Sequence, residues 1–345
     1  MHNNHIIGGE FDIDIRSLRY TRGSNDLLSD VYKFSSGRSA LYYILQDVQH
    51  RYSITTLYLP DYLCSSIVFA AEKSQMGIIF YSVDGNLEID PDKFPMKDNE
   101  ASAVLLINYF GLKNLQSQVN LVRSISEKAI IIEDDVQAFY EFQKSDIQAD
   151  YKFTSLRKMF PCPDGGLVMT RNELPFVTEI NKFHQYKLAG GILKSMNEFS
   201  LYDDSVYLQL FEKGELLIDG EIAMGMSRFS QESIAKIDLD ETARIRRRNA
   251  RIIHEGLATI GVQTILSMPD ESVPLCIPIW LDDRNKVRAR MFSKQIFCPV
   301  HWPIDGLKVN KGMQMAEHEM SIVIDQRYSD RDMDFILTTL ESALK

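Results

Sequence analysis

Lys158 ends the run Thr154-Ser155-Leu156-Arg157-Lys158 and is followed by Pro161-Cys162-Pro163-Asp164-Gly165-Gly166. Upstream, the apolar run Ile130-Ile131-Ile132 closes on Glu133-Asp134-Asp135-Val136-Gln137-Ala138. An acid ending an apolar strand, a hydroxyl residue three before a lysine, and then a glycine pair form the layout that pyridoxal 5'-phosphate (PLP) chemistry requires. The lysine amine holds the cofactor aldehyde, and a carboxylate keeps the pyridine nitrogen protonated so that the ring accepts electrons. A hydroxyl helps to hold the phosphate. The order and spacing carry this reading, since none of these residues is specific alone.

Each residue has a plainer alternative. A lysine in a loop is ordinarily a solvated charge, but Lys158 lies between an apolar strand and a Pro-rich Gly-Gly turn. Asp134 falls at the carboxyl end of its strand, where ligands bind in open parallel sheets; the alternative is a helix N-cap. Glu133 and Asp135 compete with it, and alternation lets only one of the three face a ring. Gln137 is placed to reach the cofactor's phenolic oxygen or a substrate, or is an ordinary polar helix position. Ser36-Gly37-Arg38-Ser39 is a glycine turn at a helix start. It forms an anion site through backbone N–H groups and the helix dipole, with Arg38 and Ser39 as added donors, or else a plain cap. Ser155 is a further phosphate donor. Tyr62 and Cys64, after Pro60, offer something flat or soft for a planar cofactor's face, or pack in the core. His301, in His301-Trp302-Pro303, and Arg327, in Asp325-Gln326-Arg327-Tyr328, are candidate substrate contacts. Arg327 could clamp a carboxylate bidentately, with a surface ion pair as its alternative. His184 has no partner that points to a metal.

The elements around these residues read as alternating strands and helices. Leu57–Pro60, 78–83, 103–107 and 129–132 read as strands. Helices fall over 40–48, 65–74 and 115–126. Lys152–Thr154 and Gly166–Thr170 read as two more strands flanking a loop that carries Lys158. Continuous apolar strands between helices predict an α/β fold with a mostly parallel sheet covered on both faces. Residues 172–235 are helical and less regular, and 234–257 reads as one long helix. After it come strand 275–279, helix 284–294, loop 298–303, strand 320–324 and helix 330–344. The expected organisation is an N-terminal arm (1–33), a large cofactor-binding domain (34–240) and a small C-terminal α+β domain (241–345).

Bulk properties narrow the classes. The 345 residues carry a net charge of -10 and no long basic run, which argues against nucleic acid. The four cysteines form no CxxC pair, as expected of reduced thiols in a cytoplasmic protein without a zinc site. The N-terminus has no signal pattern, and no apolar run is long enough for a membrane span.

Together these residues resemble the fold-type I PLP enzymes, most closely the DegT-like sugar aminotransferases. Ser36-Gly37-Arg38-Ser39-Ala40-Leu41 is similar to that family's Ser-Gly-Thr-x-Ala-Leu phosphate turn, with Arg38 where Thr is usual. Pro60-Asp61-Tyr62 resembles the start of the loop carrying the ring-stacking residue, with Tyr62 and Cys64 both in register for it. Glu133 to Ala138 resembles Glu-Asp-Ala-Ala-Gln-Ala, and Thr154 to Lys158 with Asp164-Gly165-Gly166 resembles the lysine loop. Residues 321–324 leading into 328–333 resemble the terminal strand and helix. The family's Gly-x-Asn-x-Arg segment has no clear counterpart; Leu216 to Gly225 is the comparable region.

The resemblance implies a homodimer with sites at the subunit interface, and a PLP-dependent aminotransferase with Lys158 and Asp134 as catalytic residues. The amino group would move from a donor such as glutamate to a keto-sugar, free or nucleotide-linked, in polysaccharide or secondary-metabolite biosynthesis. A PLP lyase, or a PLP-fold protein without turnover, is the alternative.

Overall fold

The computed structural model describes residues 6–16, 25–144, 148–197, 201–302 and 312–345. Along the chain its strands are β1 (Ile7–Gly8), β2 (Tyr32–Phe34), β3 (Thr56–Pro60), β4 (Gly77–Tyr81), β5 (Ala103–Ile107), β6 (Ile130–Asp134), β7 (Tyr151–Ser155), β8 (Gly166–Thr170), β9 (Cys276–Trp280), β10 (Ile296–Phe297) and β11 (Glu319–Val323). Seven of them make one sheet in the spatial order β2-β8-β7-β6-β5-β3-β4. Its central pairings, from β4 through β3, β5 and β6 to β7, are parallel. Strands β8 and β2 close one edge antiparallel.

The period of two along a strand builds both faces of this sheet. In β5, Ala103, Leu105 and Ile107 join the core that holds Ala40, Leu41, Ile44, Leu45 and Val48 of helix Gly37–Tyr52. Val104 and Leu106 join the opposite core, with Val119 and Val122 of helix Gln116–Ile125. In β6, Ile130 and Ile132 share the first face while Ile131 takes the second. Asp134 therefore continues the parity of Ile130 and Ile132, toward the helix that starts at Gly37. Glu133 has the opposite parity.

A second core lies around the antiparallel pair β9 and β11. Helices Leu239–Thr259, Arg284–Phe292 and Asp330–Leu344 feed Ile253, Leu257, Val287 and Ile336 into it. Ile7 of the arm joins them, because β1 pairs in parallel with β10. The rest of the arm includes residues 1–5 and 17–24, which lie outside the described residues, as does Pro303.

Two expectations about the elements are corrected. The long helix expected to start at 234 starts at Leu239 and runs to Thr259. Helix Arg228–Ile234 ends, and Asp238 caps the next by accepting a hydrogen bond from the Glu241 N–H at 2.9 Å. An aspartate that bonds the backbone three residues on starts a helix rather than continuing one. Lys158 stands on a four-residue helix, Leu156–Met159, rather than in an open loop. All four cysteines are free thiols. Among the described residues, no helix is long and apolar enough to cross a membrane.

Candidate active site

The carboxyl ends of β6 and β7 and the start of helix Gly37–Tyr52 open onto a cavity of about 610 Å³. Lys158, Asp134, Gln137, Ser155, Gly37 and Arg38 all line it. Glycine brings the pieces together. Gly166 opens β8 opposite Ser155, and a Cβ there would sit 2.1 Å from the Ser36 carbonyl oxygen. The strand leaving the lysine turn can pass the Ser36-Gly37 turn only because it begins with a residue that has no side chain.

Asp134 is 5% exposed, and its Oδ1 accepts the Val136 N–H at 2.9 Å. Burial pushes its carboxyl up to about 7, against the pull of that N–H and of the Lys158 charge. Its other oxygen bonds no described residue. Asp135 is engaged elsewhere: Lys152 lies 3.3 Å from it and 3.5 Å from Glu133. Alternation along β6 has divided three acids between a cavity and a buried lysine. Lys158 is exposed to the cavity and makes no hydrogen bond or ion pair to a described residue.

Ser36 caps its helix by accepting the Ser39 N–H, and the Ala40 N–H bonds the Ser36 carbonyl. The N–H groups of Gly37 and Arg38 remain without a described partner at the positive end of the helix, beside Ser155. These donors, a buried carboxylate with one open oxygen and an unpaired amine fit the phosphate, ring nitrogen and aldehyde of PLP.

Several sequence assignments need correction. Ser39 is buried and donates to the Met224 carbonyl at 3.1 Å, so its hydroxyl is not at the cavity. Arg38 lines the cavity but is ion-paired with Asp219, inside the Leu216 to Gly225 region. Tyr62 is core: it stacks on Tyr109, and its hydroxyl donates to the His301 carbonyl. Cys64, two residues on, lies in the cavity wall. Gln137 lines the cavity, yet its Oε1 accepts the Phe110 N–H at 2.8 Å. Arg327 spends its fork on Asp325, at 2.9 and 2.8 Å, and stacks on Phe11. It lines the cavity, but as one half of an ion pair that also holds the arm rather than as a free clamp, and the pair holds its guanidinium above the usual range even against burial. Arg327→Ala should therefore cost about 3 kcal/mol of stability by orphaning Asp325, read as a lower denaturant midpoint. An unchanged midpoint would show the pair to be dispensable. His301 does line the cavity.

Sequence reasoning missed an ion network on the cavity's arm side. Lys187, 2% exposed, bridges Glu10 at 2.7 Å and Glu215 at 2.5 Å, and Arg157 reaches Glu215 at 2.9 Å. Burial would raise the Glu215 carboxyl, but Arg157 and Lys187 hold it down at about 2. The one local signal was Arg157 beside Lys158.

No protein-family model matches the chain, and by sequence no curated protein does either. Solved structures do resemble it. Aminotransferase TlmJ from Streptoalloteichus hindustanus superposes with a TM-score of 0.69 at 15% identity, over 99% of each chain. Sugar aminotransferase CalS13 from Micromonospora echinospora gives 0.63 at 15% identity, over 97% of this chain and 93% of that one. DesV of S. venezuelae, solved in complex with a ketimine intermediate, gives 0.63 at 14%, over 96% and 93%. These likenesses establish the fold as that of the fold-type I transferases, with a mostly parallel seven-stranded sheet and a second α/β core.

Proposed function

We propose that the chain is a PLP-dependent aminotransferase that moves an amino group from a donor such as glutamate to a keto-sugar, free or nucleotide-linked. The observation that carries the reading is the convergence of Lys158 and Asp134, from two different strand ends, on one cavity with the Ser36–Arg38 helix start. The fold shared with solved aminotransferases supports it.

When bound, PLP supplies the electron sink that stabilises negative charge at the substrate's reacting carbon. Lys158 Nζ would anchor the cofactor and would carry a proton from and to the substrate's reacting carbon, as base and then as acid. Asp134 keeps a proton on the ring nitrogen. The Gly37 and Arg38 N–H groups and the Ser155 hydroxyl hold the phosphate. Cys64 lies on the cavity wall, where a soft atom can face the ring. The proposal extends to a homodimer, to domains over 34–240 and 241–345 behind an arm of 1–33, and to a cytoplasmic location, with which four free thiols agree.

The test is a colour cycle. Protein loaded with PLP should absorb in the visible, lose the band with L-glutamate and regain it with a keto acceptor. A protein that never colours would overturn the reading. Arg38 gives a narrower check. The Arg38 guanidinium lines the cavity beside Asp219 and is proposed as a further phosphate donor, so Arg38→Ala, which keeps the backbone N–H, should weaken PLP binding by about 1.5–3 kcal/mol, roughly tenfold to over a hundredfold. Unchanged affinity would assign Arg38 wholly to the Asp219 pair.

A further inference from the structure

Opposite the lysine turn, on the β9–β11 side of the cavity, His301 is held from every direction. Its N–H donates to Glu319 Oε2 at 2.6 Å, and its carbonyl accepts the Tyr62 hydroxyl. Its ring packs edge-on against Phe110 and Trp302, and its Nδ1 lies 2.8 Å from Ser321 Oγ. Ser321 Oγ in turn donates to Glu319 Oε1 at 2.5 Å. Glu319 and Ser321 are both fully buried on β11, two residues apart and therefore on the same face.

The hydrogen count of this chain sets the tautomer. Ser321 has one hydroxyl hydrogen and donates it to Glu319 Oε1. What Ser321 has left for His301 is a lone pair, so Nδ1 must carry the proton that bonds it. In the neutral ring Nε2 is then bare. Nε2 sits on the far edge of the ring and bonds no described residue, while His301 lines the cavity.

We propose that His301 Nε2 is the proton acceptor for a primary-ammonium substrate, with Ser321, Glu319 and Tyr62 as the positioning residues behind it. The inference rests on the aminotransferase reading. An amine donor reaches the cavity as R-NH3+ and cannot act as a nucleophile until it gives up a proton. His301 Nε2 takes that proton, leaving R-NH2 with its lone pair free and an imidazolium whose Nδ1–H remains on Ser321. The same proton returns to the departing amine when the step runs backward, so atoms and charge balance without another reactant. Tyr62, placed by sequence at the cofactor face, acts here through the His301 backbone.

Two arms test it. In 15N-histidine-labelled protein, with the His301 signal assigned by its loss in His301→Gln, Nδ1 should carry the hydrogen and Nε2 should show the lone-pair shift. Ser321→Ala should mix the tautomers and Ser321→Thr should restore them. A hydrogen on Nε2 in the unaltered protein would overturn the relay. In the second arm, PLP-loaded protein is mixed with L-glutamate and loss of the visible band is followed in a single turnover. His301→Gln should slow this step by roughly a hundredfold or more, with melting temperature and PLP uptake close to the unaltered protein's. Ser321→Ala should slow it by less, and Ser321→Thr should recover most of the rate. Normal colouring and cycling in His301→Gln would overturn the proton step and leave the aminotransferase reading standing. A protein that takes up no PLP would overturn that reading and the amine step with it, and the tautomer arm would still report on the relay.

Discussion

Asp134→Asn is expected to slow amine transfer by on the order of a thousandfold, several kcal/mol in the barrier. In the proposed mechanism the carboxylate keeps the ring nitrogen protonated, and an amide cannot take its place. The same substitution should have the opposite effect on the cofactor-free protein. Burial holds the folded carboxyl at about 7, against 3.8 for a solvated aspartate. Between those values the folded chain keeps a proton that the unfolded chain has released. Stability from this group therefore falls as pH rises through that window, and the full cost is present above about 7. Cofactor-free Asp134→Asn should melt higher than the unaltered protein above about pH 7 and match it at the acid end. It should gain less from added PLP. If Asp135→Asn shows this pattern instead, the acid at the ring is Asp135. That result would conflict with the contact of Asp135 to Lys152.

Lys158→Ala is expected to abolish turnover. It removes both the anchor and the proton carrier, and proton transfer alone is worth about 10²–10⁴-fold. The other contacts proposed for the cofactor do not involve this lysine. The variant should still take up PLP through the Ser36–Arg38 turn, Ser155 and Asp134, but with the spectrum of the free aldehyde. The lysine makes no hydrogen bond or ion pair to a described residue and stands on the four-residue helix Leu156–Met159, so melting should change little. Normal turnover in Lys158→Ala would remove the residue from the mechanism.

What was legible in the sequence follows from which forces are local. β5 is a continuous apolar run buried on both faces, and it coincides with its predicted span, 103–107. Asp134 was legible because a strand's alternation carries past its last apolar residue to the acid. The lysine turn was legible as a position, but four residues of helix between a strand and a proline give no periodicity to read. The break before Asp238 was hidden because Ile234 and Leu239 keep an apolar rhythm across it.

Partners distant in the chain were not legible at all. The Arg327–Asp325 pair is two residues apart, but its packing against Gly9, Glu10 and Phe11 of the arm spans the whole chain. Arg38 meets Asp219 across 181 residues, and Tyr62 meets His301 across 239. Tyr62 and Cys64 share a strand end and a parity, so composition could not tell core from cavity. The two-residue strand β1 carries no pattern of its own and exists only because β10 is there to pair with it.

The account rests on one covalent attachment, and borohydride reduction of the PLP-loaded protein followed by peptide mapping reads it directly. The predicted result is a single pyridoxyl label on Lys158, absent from Lys158→Ala. A label on Lys152, which is buried against Glu133 and Asp135, or on Lys187, which is committed to Glu10 and Glu215, would contradict it.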